Sequence, residues 1–155
     1  MESESARMSS AQEARFRVQA PNSTPRTVAV IALDARSEPV VRRLSGESWH
    51  RAGFFLATGT LRDLHGDAAN LQVVVGAADL IVMVAAAGGH ADAAAAIGRA
   101  SSDRRVMTTA LIIETGTASD ADLARTLAQV RPWSLMVVMA DADEYIADML
   151  QALRA

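Results

Sequence analysis

The sequence predicts an α/β fold: a three-layer, Rossmann-like or flavodoxin-like domain with a mostly parallel five-stranded sheet. Five short apolar runs, rich in β-branched residues, alternate along the chain with segments whose apolar residues recur at helical spacing. In addition, 50% of the residues are hydrophobic and only 4% are aromatic, which suits strands and helices that pack closely in layers. Since parallel crossovers are right-handed, each helix is expected to cover one face of the sheet or the other.

The first half of the chain supplies two strands and two helices. Residues 27–33, TVAVIAL, form a continuous apolar run typical of a strand that is buried on both faces. Ser37 is predicted to cap the next helix, with Pro39 in its first turn, where the missing N–H has no cost. Residues 53–58, GFFLAT, are the second predicted strand. The segment AANLQVVVGAA is interpreted as a helix, although its three consecutive valines also suit a strand.

The second half continues the alternation of strands and helices. The remaining three predicted strands are residues 79–85, 106–113 and 135–140. An alanine-rich helix follows the first of these strands after a pair of glycines. Ser119 and Asp122 have the spacing of a capping box before the next helix, and Asp141 and Glu144 repeat that spacing before the last one.

The ends and the composition define the expected domain organisation. Residues 1–25 are rich in Ser, Glu, Arg and Pro, so we expect a flexible polar arm, followed by a single Rossmann-like domain over residues 26–155. The opening segment has no apolar core of a signal peptide. The longest nearly uncharged run, residues 80–91, is too short to span a bilayer. The expectation is therefore a cytoplasmic protein that does not enter a membrane.

Three features of the composition exclude classes of chemistry. The formal net charge of −3 gives no electrostatic reason to expect nucleic acid as a partner. The absence of cysteine excludes disulfides, thiolate metal sites and cysteine nucleophiles. The chain also has no lysine, which excludes a Walker-type phosphate lysine and a Schiff-base lysine.

Residues just beyond the strands are the candidates for a binding site, because ligands of parallel sheets bind past the carboxyl ends of the strands. The predicted ligand-binding or cofactor-binding residues are Asp34, Gly88, Gly89, His90, Glu114 and Thr115. A local interpretation stays open beside this one, since glycines form tight turns and Asp or Thr caps helices whatever the function. The glycine pair also lacks the three-glycine spacing of a dinucleotide fingerprint.

The segment GAADLIVMVAAAGGHADAAAAIGRASSDRRVMTTALII has the order strand, glycine loop, alanine-rich helix, strand. Over residues 27–113 the chain thereby resembles the nucleotide-binding half of the tubulin-like cell-division GTPase family. The resemblance implies that Gly88 and Gly89 lie in a phosphate loop and that Asp34, Ala35 and Arg36 replace a glycine-rich first loop. That family's long glycine-threonine run is reduced here to Gly-Gly-His, so the resemblance implies a shared architecture and not GTP hydrolysis.

Two functional hypotheses follow from these observations, and both are non-catalytic. The leading hypothesis is a small accessory or assembly protein that acts through protein–protein association, as a homo-oligomer or with a protein partner. Its contacts would come from Trp133, or from Phe54 and Phe55 if the second strand lies at an edge. The alternative is a binder of a nucleotide or another anionic metabolite at the carboxyl edge of the sheet. An enzyme that uses Asp34, Glu114 and His90 around a divalent metal ranks third, and no cofactor is specified.

Overall fold

The computed structural model describes residues 26–114, 116–141 and 143–152. Within those residues the chain has an α/β fold with five helices and a six-stranded, mostly parallel sheet. The predicted flexible arm, residues 1–25, lies outside the described residues. The elements in chain order are β1 (Val28–Ala32), α1 (Glu38–Ser45), β2 (Ala52–Leu56), β3 (Arg62–Asp63), α2 (Leu71–Ala77), β4 (Leu80–Ala86), α3 (Ala94–Asp103), β5 (Met107–Ile113), α4 (Asp120–Val130), β6 (Met136–Ala140) and α5 (Asp143–Ala152).

The strand order in the sheet is β3-β2-β1-β4-β5-β6. The five predicted strands are confirmed and all run parallel, with β1 between β2 and β4. The predicted number of strands is wrong, because the sheet has six and not five. The additional strand, β3, pairs antiparallel with β2 after the chain reverses at Gly59, whose φ is +151°. A strand of only two polar residues has no apolar alternation, and its sequence is therefore indistinguishable from a loop.

Helices cover both faces of the sheet. On one face Val28, Val30 and Ala32 of β1 pack in a core with apolar residues of α1 and α5. On the other face Ile31 and Leu33 pack with residues of α2, α3 and α4. The alternation along one central strand therefore supplies both cores, as expected of a strand that is buried on both sides.

Side-chain caps mark the beginning of two helices, α2 and α4. Asn70 accepts hydrogen bonds from the N–H groups of Gln72 and Val73, and the ambiguous valine segment consequently forms α2, which confirms the helix interpretation. Ser119 and Asp122 form the predicted capping box of α4. The hydrogen bond with the Ser119 side chain is the largest cause of a lowered pKa of the Asp122 carboxyl.

The predicted capping role of Ser37 is wrong. Ser37 precedes α1 at the N-cap position, but its backbone is already helical and its hydroxyl makes no capping bond to α1. The hydroxyl instead donates to the carbonyl oxygen of Asp34 at 3.1 Å. No helix within the described ranges is long and apolar enough to cross a membrane.

Candidate functional site

Three loops at the carboxyl ends of β1, β2 and β4 surround a cleft of about 710 Å³. After β1 the chain enters α1 on one face of the sheet, whereas after β4 it enters α3 on the opposite face. The two loops therefore diverge between adjacent parallel strands, which is where ligands of such sheets bind. The volume lies within the range of about 300–1,000 Å³ that is usual for small-molecule sites. The lining residues are Leu33, Asp34, Ala35, Arg36, Ala57, Thr58, Gly59, Gly88, Gly89, His90, Asp92 and Ala93.

Four of the predicted site residues meet at this cleft: Asp34, Gly88, Gly89 and His90. Glu114 follows β5 and is exposed, and its N–H donates to the carbonyl oxygen of Ala140 at 3.0 Å. Glu114 is not among the residues that line the cleft. Thr115 lies outside the described residues. The candidate site is thus the divergence of β1 and β4, and no described residue at the ends of β5 and β6 lines it.

Asp34 forms part of the floor of the cleft and is committed to the protein backbone. Asp34 is only 7% exposed to solvent. One carboxylate oxygen accepts from the N–H of Ser37 at 2.8 Å, and the other accepts from the N–H of Ala86 at 2.9 Å. The carboxylate therefore links the loop after β1 to the end of β4. These bonds satisfy two backbone donors that would otherwise be buried without an acceptor.

Gly89 packs directly against this carboxylate. A Cβ atom on Gly89 would overlap Oδ2 of Asp34 and would lie 3.1 Å from the carbonyl oxygen of Ala86. A side chain at position 89 would therefore have to displace the carboxylate or the backbone. The second glycine of the pair is thus required by the close approach of Asp34.

Gly88 is required for a different reason. Its φ is +85°, a conformation that side chains rarely adopt. Its N–H donates to the hydroxyl of Thr126, a fully buried residue of α4, at 2.9 Å. The two glycines consequently shape a turn that is fixed by residues from elsewhere in the chain.

Three backbone donors of the loop after β4 have acceptors within the protein. Besides the bond from Gly88, the N–H of Gly89 donates to the carbonyl of Ala86 at 2.9 Å. The N–H of Ala91 donates to the side-chain oxygen of Gln129 on α4 at 3.0 Å. A phosphate cradle of the kind that the resemblance implies needs such N–H groups to point at the ligand. Here the N–H groups of Gly88 and Ala91 hold the loop against α4, and the N–H of Gly89 closes the turn on Ala86.

Side chains at the rim of the cleft remain accessible. Arg36, Thr58 and His90 are exposed, and among the described residues Arg36 and His90 have no hydrogen-bond or ion-pair partner. Asp92 is also exposed and accepts a hydrogen bond from Gln129 at 2.9 Å. The chemistry that the exposed side chains offer to a ligand is therefore one guanidinium, one imidazole, one hydroxyl and the Asp92 carboxylate, beside apolar walls.

Arg36, Thr58 and Asp92 line the cleft but were not among the predicted binding residues. Their positions after predicted strands or at the start of a helix were one signal, and for Arg36 the resemblance, which placed it in the first loop, was another. In the part of the chain that the structure describes, no three His, Asp or Glu side chains are grouped so as to hold a metal ion.

No protein-family model matches the chain, and no curated protein matches it.

Proposed function

We propose that the protein is a non-catalytic binding module that holds a small anionic ligand, such as a nucleotide or a phosphorylated metabolite, in the cleft between β1 and β4. The observation that carries this proposal is the coincidence of the cleft with the point where α1 and α3 leave adjacent parallel strands for opposite faces. Four residues selected from the sequence alone line this cleft. The proposal corresponds to the second of the two hypotheses that the sequence raises.

We further infer a flavodoxin-like variant of the Rossmann-like architecture. The strand order supports this inference. When the two-residue antiparallel β3 is set aside, the parallel strands follow the order β2-β1-β4-β5-β6, equivalent to 2-1-3-4-5. In sheets of that order the ligand lies beside the first and third parallel strands, which are β1 and β4 in this chain.

The rim side chains define the ligand chemistry that we propose. Because the glycine loop uses its N–H groups internally, an anionic group would be recognised by the Arg36 guanidinium, assisted by His90. The amino end of α3, which has no side-chain cap, is oriented to favour negative charge at the same place. Leu33, Ala57 and Ala93 provide apolar walls for the remainder of the ligand. The site thus fits a molecule with one anionic end and one apolar part.

A ligand panel and two rim variants test this proposal. The untagged protein would be heated with inorganic phosphate, nucleoside mono-, di- and triphosphates, and phosphorylated sugars, and unfolding would be followed by intrinsic fluorescence. A ligand at a hundredfold excess over its Kd stabilises the folded state by about 2.7 kcal/mol. For a chain of this size that corresponds to a rise of roughly 5–10 °C in Tm. We expect Arg36→Ala and His90→Ala to reduce this shift without lowering the Tm of the free protein.

Arg51→Ala is the matched control, because Arg51 is exposed and lies just before β2, at the opposite end of the strands. The proposal predicts an unchanged ligand shift in this variant. A shift that is equal in Arg36→Ala, His90→Ala and the wild type would place the ligand elsewhere. A panel without any stabilising compound would remove the support for an anion-binding function.

Association with a protein partner is a second candidate function, in line with the leading hypothesis from the sequence. The surfaces named there are largely used within the chain. Trp133 packs on Gly98, and the Arg99 guanidinium lies 5.2 Å from its ring centroid. Phe54 and Phe55 are partly buried against the two cores. The observation that favours association is instead the exposure of large apolar side chains along β6 and directly before it.

A further inference from the structure

The two strands that end the sheet differ in length and in charge. At one edge, β3 is only two residues long and both of them are charged, Arg62 and Asp63. Short, charged edge strands are a common means of preventing pairing with other chains. At the other edge, β6 is five residues long and contains neither proline nor a charged residue. Among the described residues β6 pairs with β5 alone, so its outer side has hydrogen-bonding groups that no strand in this part of the chain pairs with.

Large apolar side chains are concentrated at this unprotected edge. Leu135, directly before β6, is 75% exposed, and Met136 and Met139 within β6 are 49% and 37% exposed. Met107, at the beginning of the adjacent strand β5, is 45% exposed. Exposed large apolar side chains at the edge of a sheet are typical of a surface that is covered by another polypeptide.

We propose that β6 pairs antiparallel with β6 of a second copy of this chain, and that the two sheets become continuous in a twofold-symmetric dimer. The strand is complementary to itself in this arrangement. In a register centred on Val138, Val138 lies opposite its own counterpart and Met136 lies opposite Ala140 of the second copy. Val138 and Ala140 pack against the core beneath α1 and α5. Because Met136, Val138 and Ala140 alternate along the strand, all three would lie on one face of the joined sheet in both copies.

Charge at the two ends of β6 favours the antiparallel direction. Arg131 is exposed shortly before the strand, and Asp141 is exposed directly after it. Antiparallel pairing brings the arginine end of one copy towards the aspartate end of the other, whereas parallel pairing would place like charges together. A twofold interface uses the same patch on both copies, which agrees with a surface that has one positive end and one negative end.

This inference names the partner for the association candidate and rests on that candidate, not on ligand binding in the cleft. The test is native mass spectrometry and light scattering of the untagged full-length protein across a concentration series. We expect a dimer in the wild type and a monomer in the double variant Met136→Lys/Met139→Lys. The double variant should raise the dimer dissociation constant by at least about tenfold, equivalent to about 1.4 kcal/mol.

Val73→Lys is the matched control, since Val73 is 67% exposed but belongs to α2. The proposal requires this variant to remain dimeric. A wild type that is monomeric at every concentration would overturn the proposal, as would a dimer that survives the double lysine substitution. Deletion of residues 1–25 tests whether the amino-terminal segment of the same chain covers β6 in place of a second copy. If only the shortened chain dimerises, that segment covers β6 in the full-length protein, and the proposal is overturned.

A cross-linking variant keeps the proposal testable if the lysine variant fails to fold. The chain has no cysteine, so Met139→Cys introduces a single thiol at the proposed interface. A short bis-maleimide should join two copies of this variant in high yield, and it should join few copies of Val73→Cys. Equal yields for the two cysteine variants would overturn the proposal. The ligand-induced shift in Tm is a separate measurement, so failure of the dimer and failure of the cleft proposal can be distinguished.

Discussion

Replacement of Asp34 by alanine tests whether this residue supports the cleft or only contacts a ligand. The substitution removes a carboxylate that accepts from the N–H groups of Ser37 and Ala86 at 2.8 and 2.9 Å. Both donors are in residues that are at most 1% exposed, so water cannot readily replace the carboxylate. Because a buried donor without an acceptor costs about 1–3 kcal/mol, we expect Asp34→Ala to lower the free energy of unfolding by about 2–6 kcal/mol.

The conservative variant Asp34→Asn refines the estimate. Its side chain has the same size and keeps one acceptor oxygen, but its NH₂ group would face one of the two backbone donors. We therefore expect a smaller loss, about 1–3 kcal/mol, since only one of the two hydrogen bonds can be retained. The order of stabilities should be wild type, then Asp34→Asn, then Asp34→Ala, in the complete absence of ligand.

Urea unfolding followed by far-ultraviolet circular dichroism and tryptophan fluorescence measures these differences. Asp67→Ala is the matched control, because Asp67 is an exposed loop aspartate at which substitution should stay within about 0.5 kcal/mol of the wild type. If Asp34→Ala also stays within that range, the carboxylate does not hold the two loops together. The cleft floor would then not be a fixed part of the fold.

Three further predictions concern stability. Thr126→Val should lower the free energy of unfolding by about 1–3 kcal/mol in urea titrations, because it leaves the N–H of Gly88 without its acceptor. Gly98→Ala should lower the Tm, although alanine normally favours a helix, since its Cβ would lie 2.5 Å from Cβ of Trp133. Asp122→Asn should lower stability at neutral pH, and this difference should disappear as the pH falls through the lowered pKa of Asp122.

A matched control variant tests the prediction for Gly98, and the direction of the pH dependence tests the prediction for Asp122. Gly76→Ala is the control for Gly98→Ala: its Cβ would meet only the flexible end of Arg104, so we expect a gain of about 0.5–1 kcal/mol from helix propensity. Equal effects of the two alanine substitutions would contradict the packing argument. For Asp122 the lowered pKa means that the stabilisation is present above the ordinary carboxyl value of 3.8 and is lost in more acidic solution. A difference that persists unchanged in acid would contradict this assignment.

Local patterns predicted the parallel strands but not the edge strand. β4 is a seven-residue apolar run that is buried throughout, and such a run is visible in the sequence without knowledge of its neighbours. β3 is a strand only because Asp63 and Arg62 pair with Phe55 and Leu56 of β2. Its existence depends on a tight reversal of the chain, and a pair of polar residues has no periodicity from which that pairing could be inferred.

The candidate site was predictable only in part. Residues that follow parallel strands lie at one edge of the sheet, and this rule predicted that Asp34, Gly88, Gly89 and His90 lie close together, as they do in the cleft. It was not sufficient to show how the glycine loop is held. Thr126 bonds to Gly88 across 38 positions of the sequence, and a contact over that separation leaves no local signal.

The structure also changes how mutations in the cleft should be interpreted. The sequence left open whether Gly88 and Gly89 form a ligand loop or a tight turn. In the structure their backbone forms the turn, whereas the side chains at the rim of the cleft are accessible to a ligand. The backbone of the Gly88-Gly89 turn is held by Thr126, Ala86 and the Asp34 carboxylate, so substitutions there act on folding first. A variant such as Gly89→Val would lose ligand binding whether or not the loop contacts the ligand.

Exposed rim side chains avoid this ambiguity. Arg36 and His90 have no hydrogen-bond or ion-pair partner among the described residues, so their removal should leave the free protein as stable as before. Any effect on a ligand-induced shift must then come from lost recognition. Substitution of Arg36 and His90 therefore tests the binding hypothesis directly. Substitution of the glycine pair, which first suggested a site in the sequence, does not, because it changes folding as well.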